Sequence, residues 1–579
     1  GDSLGGAALF NRTYTVLYRK LQAGAPAVAG PTQHEEQELF GSGAAQQAVL
    51  LLQRLATRSA ECRHEACLEP EDFQDAHLCR ALQRQLTDSM AVATGLIPRW
   101  CRDIVHQCPA LVPYDLRLLF FRVTSFGVSR GLQEVQRARD RAPANGRSAA
   151  QGMRLPELLV EVASVERERL LEWADAVFRE HARRKTELVV LFRSAGREEK
   201  GHGHGVTNGF YADVAQALMS EEGSASPLWI AYRPGALYPR ALSTEQLANP
   251  PAVLLDRCRF IGRFIGKALQ QRRTSSLALG DPFCSVLLGR GLTDLDVARI
   301  IPDTHRSIES VLDCKRTADA AEGNPALSAD EKQSQVQEQR DIVESMCLPF
   351  ADAATGDPLA AALSCGHLAY YGQPAFSHPA PCPTCGSVSE SRVPCTELDV
   401  TLDNAAEYTT AQRCYLRQDE LGTRVAPLFA AVREGIDEVF PSSALQALSA
   451  TELDELVKGT VSWTKAEVDQ WVHAPRGDFP QLFWLRELMC AMDSHVKRMF
   501  LKYVSGTPML PPGGLAALLG KDGTRGLKVI SVEHSSSSHL PTSNTCTVTL
   551  RLPDSYPDAE TLSLRLMTAI SSCTTFEYD

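Results

Sequence analysis

Nowhere in its 579 residues does the chain carry an uncharged apolar run of the roughly 18 residues that cross a bilayer. It has no basic surplus either. The formal net charge is −11, and phosphate backbones are bound by clustered Lys and Arg, so a generic nucleic-acid binder is excluded and any basic groove must be local. Neither a membrane nor a nucleic acid is therefore expected as a partner. The dense, even cysteine spacing of a secreted disulfide framework is also missing. The 17 cysteines are odd in number and spread along a long chain, which fits reduced thiols inside a cell, in cytoplasm, nucleus or both. No methionine or signal-like segment precedes Gly1-Asp2, and the expectation is a fragment of something longer.

With 44% hydrophobic and 22% charged residues the composition is globular, and the length suggests roughly three to five domain-sized units. Residues 1–141 read mainly as helix; Leu78, Leu82 and Leu86 fall at i, i+4 and i+8. The Ala-, Gly- and Pro-rich stretch 142–154 is a linker by composition. Helix (Leu170–Arg184) and strand (Glu187–Phe192) follow, then Gly201-His202-Gly203-His204-Gly205 opens another helix. That loop lacks the Lys-Ser/Thr of a phosphate-binding loop and the spacing of a dinucleotide motif, and it reads as flexible and solvated. Gly262 and Gly266, four apart in FIGRFIGKAL, indicate a helix packed closely against another element. The polar stretch Ala318–Glu338 reads as a solvated helix or a partly disordered insert. Ser449 and Glu452 form the Ser-x-x-Glu capping box that starts a late helix.

A Cys-rich segment at about 363–396 carries the clearest metal signal. Cys382-Pro-Thr-Cys385-Gly386 is a tight turn that presents two thiolates to one ion, and Cys365 and His367 complete a tetrahedral set suited to structural zinc. The spacing resembles the second half of a RING finger, with no matching first half. The alternatives are a proline-rich loop with thiols that bind nothing, or an autonomous zinc recognition module.

Near the end, LPTSNTCTVTLRLP (Leu540–Pro553) leads a polar loop through Thr545 and Cys546 into an alternating run. Val548, Leu550 and Leu552 share one face, which is the period of a half-buried strand. A thiol at such an entry is anchored and still reachable, as a nucleophile must be.

LPTSNTC, the upstream FLKYVSGTPMLP, the strand Leu527–Val532 and the closing helix with Leu562, Leu566 and Ile570 together resemble the catalytic lobe of HECT-type ubiquitin ligases. FYADVAQAL, PLWI, ALYPRAL and FIGRFIGKAL resemble the amino-terminal lobe in the same order, and Cys108–Leu132 resembles the segment before it in the ubiquitin-fusion-degradation subgroup. The resemblance covers about residues 155–579. It implies an α+β architecture, a mainly helical region followed by a bilobal domain: amino-terminal lobe 155–472 with the Cys-rich insert, hinge 473–477 (with Pro475, Arg476 and Gly477) and carboxy-terminal lobe 478–579. It further implies that Cys546 takes ubiquitin as a thioester from a conjugating enzyme and passes it to a lysine of a protein substrate, with no cofactor required. Thr545 would support the thioester, Phe576 would position the acceptor, and Ile308 and Leu312 would dock the conjugating enzyme. Asn544 stands where the family often has histidine, and neither the Gly-His loop nor the Cys-rich insert follows the common pattern. The alternative is an inactive scaffold that binds ubiquitin or its conjugating enzyme; a papain-like protease would require a distant histidine and asparagine in another fold.

Overall fold

A computed structural model of the chain describes residues 51–52, 70–141 and 158–572, the last without 195–196, 200–202, 221–226, 234–235, 353–355, 417–420, 521–522 and 534. Within these the chain divides into two compact units. One gathers Gly1–Val162 with Arg183–Leu188 and Val439–Leu453, and the other holds the rest. The linker expected at 142–154 lies outside the described residues.

In the first unit, Asp75 starts the helix Ala76–Leu86 by accepting the Leu78 N–H at 2.7 Å, and Leu78, Leu82 and Leu86 are buried as their spacing requires. Phe121 and Phe126 stack edge-to-face with Phe440, at centroid distances of 5.6 and 5.1 Å. The helical region thus extends beyond residue 141 by recruiting the 439–453 segment. Arg117, itself buried, pairs with both carboxylate oxygens of Glu452 and donates to the Val112 and Ala447 carbonyls. Glu452 also accepts the Ser449 N–H at 2.8 Å. The expected capping box is present, and it shares its carboxylate with the ion pair.

In the second unit the helices Ala252–Gln271 and Leu421–Asp437 cross closely. A Cβ on Gly262 would lie 2.0 Å from the Val432 carbonyl oxygen, and one on Gly435 would lie 2.1 Å from that of Arg259. Only glycine admits this approach. The stretch read as solvated or partly disordered is a helical hairpin, Pro302–Gly323 and Ala329–Ser345, the second helix capped by Ser328 with Glu331. Ile308 is 1% exposed and Leu312 half-buried. The face expected to dock a partner is therefore partly spent on core, because Ile308, Val311 and Cys314 all turn inward.

The carboxy-terminal body is a four-stranded sheet in the order Thr542–Asn544, Thr549–Pro553, Leu527–Val532, Val472–His473. Leu527–Val532 runs parallel to both its neighbours, and Thr542–Asn544 pairs antiparallel with Thr549–Pro553. Its core runs from Trp463 and Val468 through Leu485, Leu501, Val529 and Leu550 to Leu566 and Ile570. Because Trp463, Val468 and Val472 already belong to that core, the exposed turn Pro475-Arg476-Gly477 lies inside the body and not at its border. The chain enters the body at Gly459 (φ +84°) and Thr460, which bridges Leu510.

Candidate active site

Cys546 occupies the tip of a hairpin. Strand Thr542–Asn544 turns through residues 545–548 into Thr549–Pro553, with Asn544 opposite Thr549. The expected loop-to-strand entry is thus a tight turn between paired strands. Asn544 Oδ1 accepts the N–H of Cys546 at 3.1 Å and of Thr547 at 3.2 Å. The residue that departs from the common family pattern therefore fixes the turn, as short polar side chains do when they accept from backbone N–H groups ahead of them. Val548 closes the turn at φ +47°, a conformation costly for a β-branched residue, while its side chain is buried. Leu550 and Leu552 beyond it are fully buried and anchor the hairpin. On its other side Ser543 Oγ donates to the Tyr503 carbonyl at 2.6 Å, and the Tyr503 hydroxyl donates to the Pro541 carbonyl.

The thiol is half-buried, and part of what covers it was not legible beforehand. A Cβ on Gly203, at φ +107°, would stand 3.2 Å from Cys546 Sγ, and one on Gly205 would fall 1.9 Å from Thr545 Oγ1. The described part of the glycine-histidine loop thus seats on the cysteine turn, at the start of the helix His204–Met219. Thr207 secures that end: its hydroxyl donates to the Gly203 carbonyl and accepts the Val190 N–H. The only signal in the sequence was the alternation of glycines, which permits a close approach without naming its partner. Asn208 Nδ2 donates to the Ser505 carbonyl at 3.2 Å, Lys502 Nζ lies 3.8 Å from Asp213, and Arg167 reaches Asp213 and Glu199. Burial pushes the Asp213 carboxyl up, against the opposing pull of Lys502 and Arg167.

Three buried thiols are poorly suited to attack. Burial pushes Cys101 and Cys258 up to about 12 and Cys108 up to about 11. His539 is engaged with the Ser536 N–H through Nδ1, and its carbonyl accepts from the Tyr556 hydroxyl. Phe576 lies outside the described residues.

Cys365, His367, Cys382 and Cys385 come together as expected, each with a ligand atom within 4.8 Å of the others. Their donor set suits a structural metal ion. Ser387, hydrogen-bonded to Cys385 Sγ at 3.0 Å, holds that thiol well below the usual range, at about 6.

The family model described as "HECT-domain (ubiquitin-transferase)" matches residues 225–579, more than half of the chain. The chain belongs to the HECT family. Curated relatives include the E3 ubiquitin-protein ligase hecd-1 of Caenorhabditis elegans, 25% identical over 89% of this chain and 20% of its own length. The E3 ubiquitin-protein ligase Ufd4 of Drosophila melanogaster is 24% identical over 87% of this chain and 20% of its own. The E3 ubiquitin-protein ligase TRIP12 of Danio rerio is 26% identical over 86% and 24%. The chain thus spans about a fifth to a quarter of these relatives. A protein of Schizosaccharomyces pombe named "Probable ubiquitin fusion degradation protein" matches as well, in keeping with the subgroup read from the sequence. The HECT match covers the whole carboxy-terminal body, Cys546 included. Among the described residues no helix is long and apolar enough to cross a membrane.

Proposed function

We propose that this chain is a ubiquitin-protein ligase in which Cys546 accepts ubiquitin from a conjugating enzyme and transfers it to a substrate lysine. The observation that carries this reading is the hairpin itself: a half-buried thiol at the tip of a turn braced by Asn544 and anchored by Leu550 and Leu552. The Cys546 thiolate attacks the conjugating enzyme's thioester carbonyl, and that enzyme's thiolate departs. Exchange between like leaving groups is nearly isoenergetic, so the acyl group stays reactive. A lysine amine then displaces Cys546 and forms an isopeptide bond. Thr545 borders the acyl group and helps to orient it, and Phe576 acts on the acceptor side. The partners are ubiquitin, a conjugating enzyme and protein substrates, inside the cell where thiols stay reduced.

The contact between Gly203–Gly205 and Thr545–Cys546 leaves little room for a ubiquitin tail, so loading requires the carboxy-terminal body to swing away. Its hinge in this reading is the entry at 459–461, ahead of the body's core, in place of 473–477. With Ile308 buried, Leu312 and its exposed neighbours on Pro302–Gly323 remain for the conjugating enzyme. The Cys365–Cys385 cluster holds a structural zinc ion, and no transfer step runs through it.

Mixing the chain with a charged conjugating enzyme should give a thiol-sensitive ubiquitin adduct that Cys546→Ala abolishes. An adduct that persists in Cys546→Ala removes the assignment. Binding without any adduct makes the chain a scaffold.

A further inference from the structure

The segment between Pro349 and Asp399 closes on itself. Pro349 bridges Asp399, the Phe350 N–H donates to the Leu398 carbonyl at 2.7 Å, and a small sheet lies between, ordered Leu368–Tyr370, Ala360–Leu363, Arg392–Pro394. Two tight turns face each other on it. The first joins two strands through Cys365-Gly366-His367, with Gly366 at φ +81° and the Leu363 N–H donating to the His367 carbonyl at 2.8 Å. In the second, Gly386 at φ +73° donates its N–H to the Cys382 carbonyl at 2.9 Å, while the Thr384 N–H points at Cys382 Sγ from 3.4 Å. Ser389, 1% exposed, ties the turns together by accepting the Ser364 N–H at 2.9 Å and donating to the Ser391 carbonyl.

Two features are unexplained by the protein alone. His367 Nδ1 is buried without a hydrogen-bond partner among the described residues, a cost that a ligand would relieve. The buried apolar cluster beside the four donors is very small, Leu363, Ala369, Ala375 and Cys382, while Phe350 and Tyr371 of the same segment pack outside it, on Tyr408 and Tyr415. So small a cluster does not hold the two turns together without a staple. In a tetrahedral site with Zn–S near 2.3 Å the sulfurs stand about 3.8 Å apart, and the four donors already lie within 4.8 Å of one another.

Building on the zinc reading of this cluster, we propose that one zinc ion held by Cys365, His367, Cys382 and Cys385 is what folds the 349–399 insert, while the thioester chemistry at Cys546 proceeds without it. Binding is redox-neutral: three thiols lose their protons to solvent as the ion gives up its waters, and imidazole supplies the fourth bond. Three thiolates and one imidazole in a closed tetrahedron favour zinc over the harder divalent ions and leave no open position for catalysis.

Metal analysis of the purified chain tests the ion, and limited proteolysis of the same sample tests the folding. The expected result is one zinc per chain, lost in Cys382→Ser with Cys385→Ser and retained in Cys347→Ser, whose exposed thiol lies outside the cluster. Cobalt exchanged into the site should show thiolate charge-transfer and tetrahedral ligand-field bands. Chelation should open cleavage within 349–399 while adduct formation at Cys546 stays within about twofold. A chain without zinc, or zinc retained in the double variant, overturns the site. One zinc per chain with an insert equally protected after chelation overturns the folding role and leaves the ion. Loss of the Cys546 adduct together with zinc overturns the independence.

Discussion

At the scale of single residues, the contact that decides whether Cys546 is reachable is made by two glycines. Alanine at 205 should favour the His204–Met219 helix, since alanine exceeds glycine in helix propensity by about 1 kcal/mol. Its Cβ, however, would sit 1.9 Å from Thr545 Oγ1, so the cysteine turn must move off the loop. Gly205→Ala should therefore raise the rate at which iodoacetamide alkylates Cys546 several-fold, with little change in unfolding temperature. An unchanged rate would mean that the loop does not shield the thiol in solution. Cys546 itself was legible because polar loop and alternating strand met at one thiol. The role of Asn544 was not, because its value lies in two N–H groups that only the folded turn brings to its oxygen.

At the scale of elements, local patterns carried well wherever the cause was local. The Ser449–Glu452 cap and the Leu78–Leu82–Leu86 stripe follow from adjacent residues, and both are present. Ile308 shows the limit of such patterns, because a 3.6-residue period marks an apolar face without saying what covers it, and in the fold the side chain is buried. The shared role of Glu452 was likewise hidden, since Arg117 lies 335 residues away. Replacing Glu452 with alanine leaves Arg117 buried without its charge partner and removes the cap, and should cost about 3 kcal/mol in urea-induced unfolding; Ser449→Ala, which loses only the cap, should cost about 1 kcal/mol. Equal costs would mean that the ion pair contributes nothing. His106 makes a pH-dependent prediction for the same unit. Burial first, and Arg102 second, hold its imidazole below the ordinary 6.5, and Nε2 is buried without a hydrogen-bond partner among the described residues. The folded state favours neutral His106, so this stability is fully present above 6.5 and is lost as pH falls through the depressed folded value. His106→Leu should narrow the gap in urea midpoint between neutral pH and about pH 5, and a gap of unchanged size would exclude His106 as its source.

At the scale of the whole molecule, the proposed transfer would require one body to meet a large donor and then an acceptor, yet the turn bearing Cys546 rests against the start of the His204–Met219 helix. That contact is held by modest interactions. The Asn208–Ser505 bond is single, and the Lys502–Asp213 pair, 3.8 Å apart with Lys502 about half exposed, is the kind that contributes little in water. Weak contacts suit a surface that, in the proposed cycle, separates at each turnover about the 459–461 entry. Carbodiimide coupling should convert the Lys502–Asp213 pair into an amide, detectable as one cross-linked peptide, and the coupled fraction should lose ubiquitin loading while Cys546 still reacts slowly with small alkylating agents. Lys502→Gln, which cannot couple, should keep loading after the same treatment and thereby separate the cross-link from general carboxyl modification. Undiminished loading of the cross-linked fraction would show that ubiquitin reaches Cys546 without separation of these surfaces, and the hinge at 459–461 would then have no part in loading.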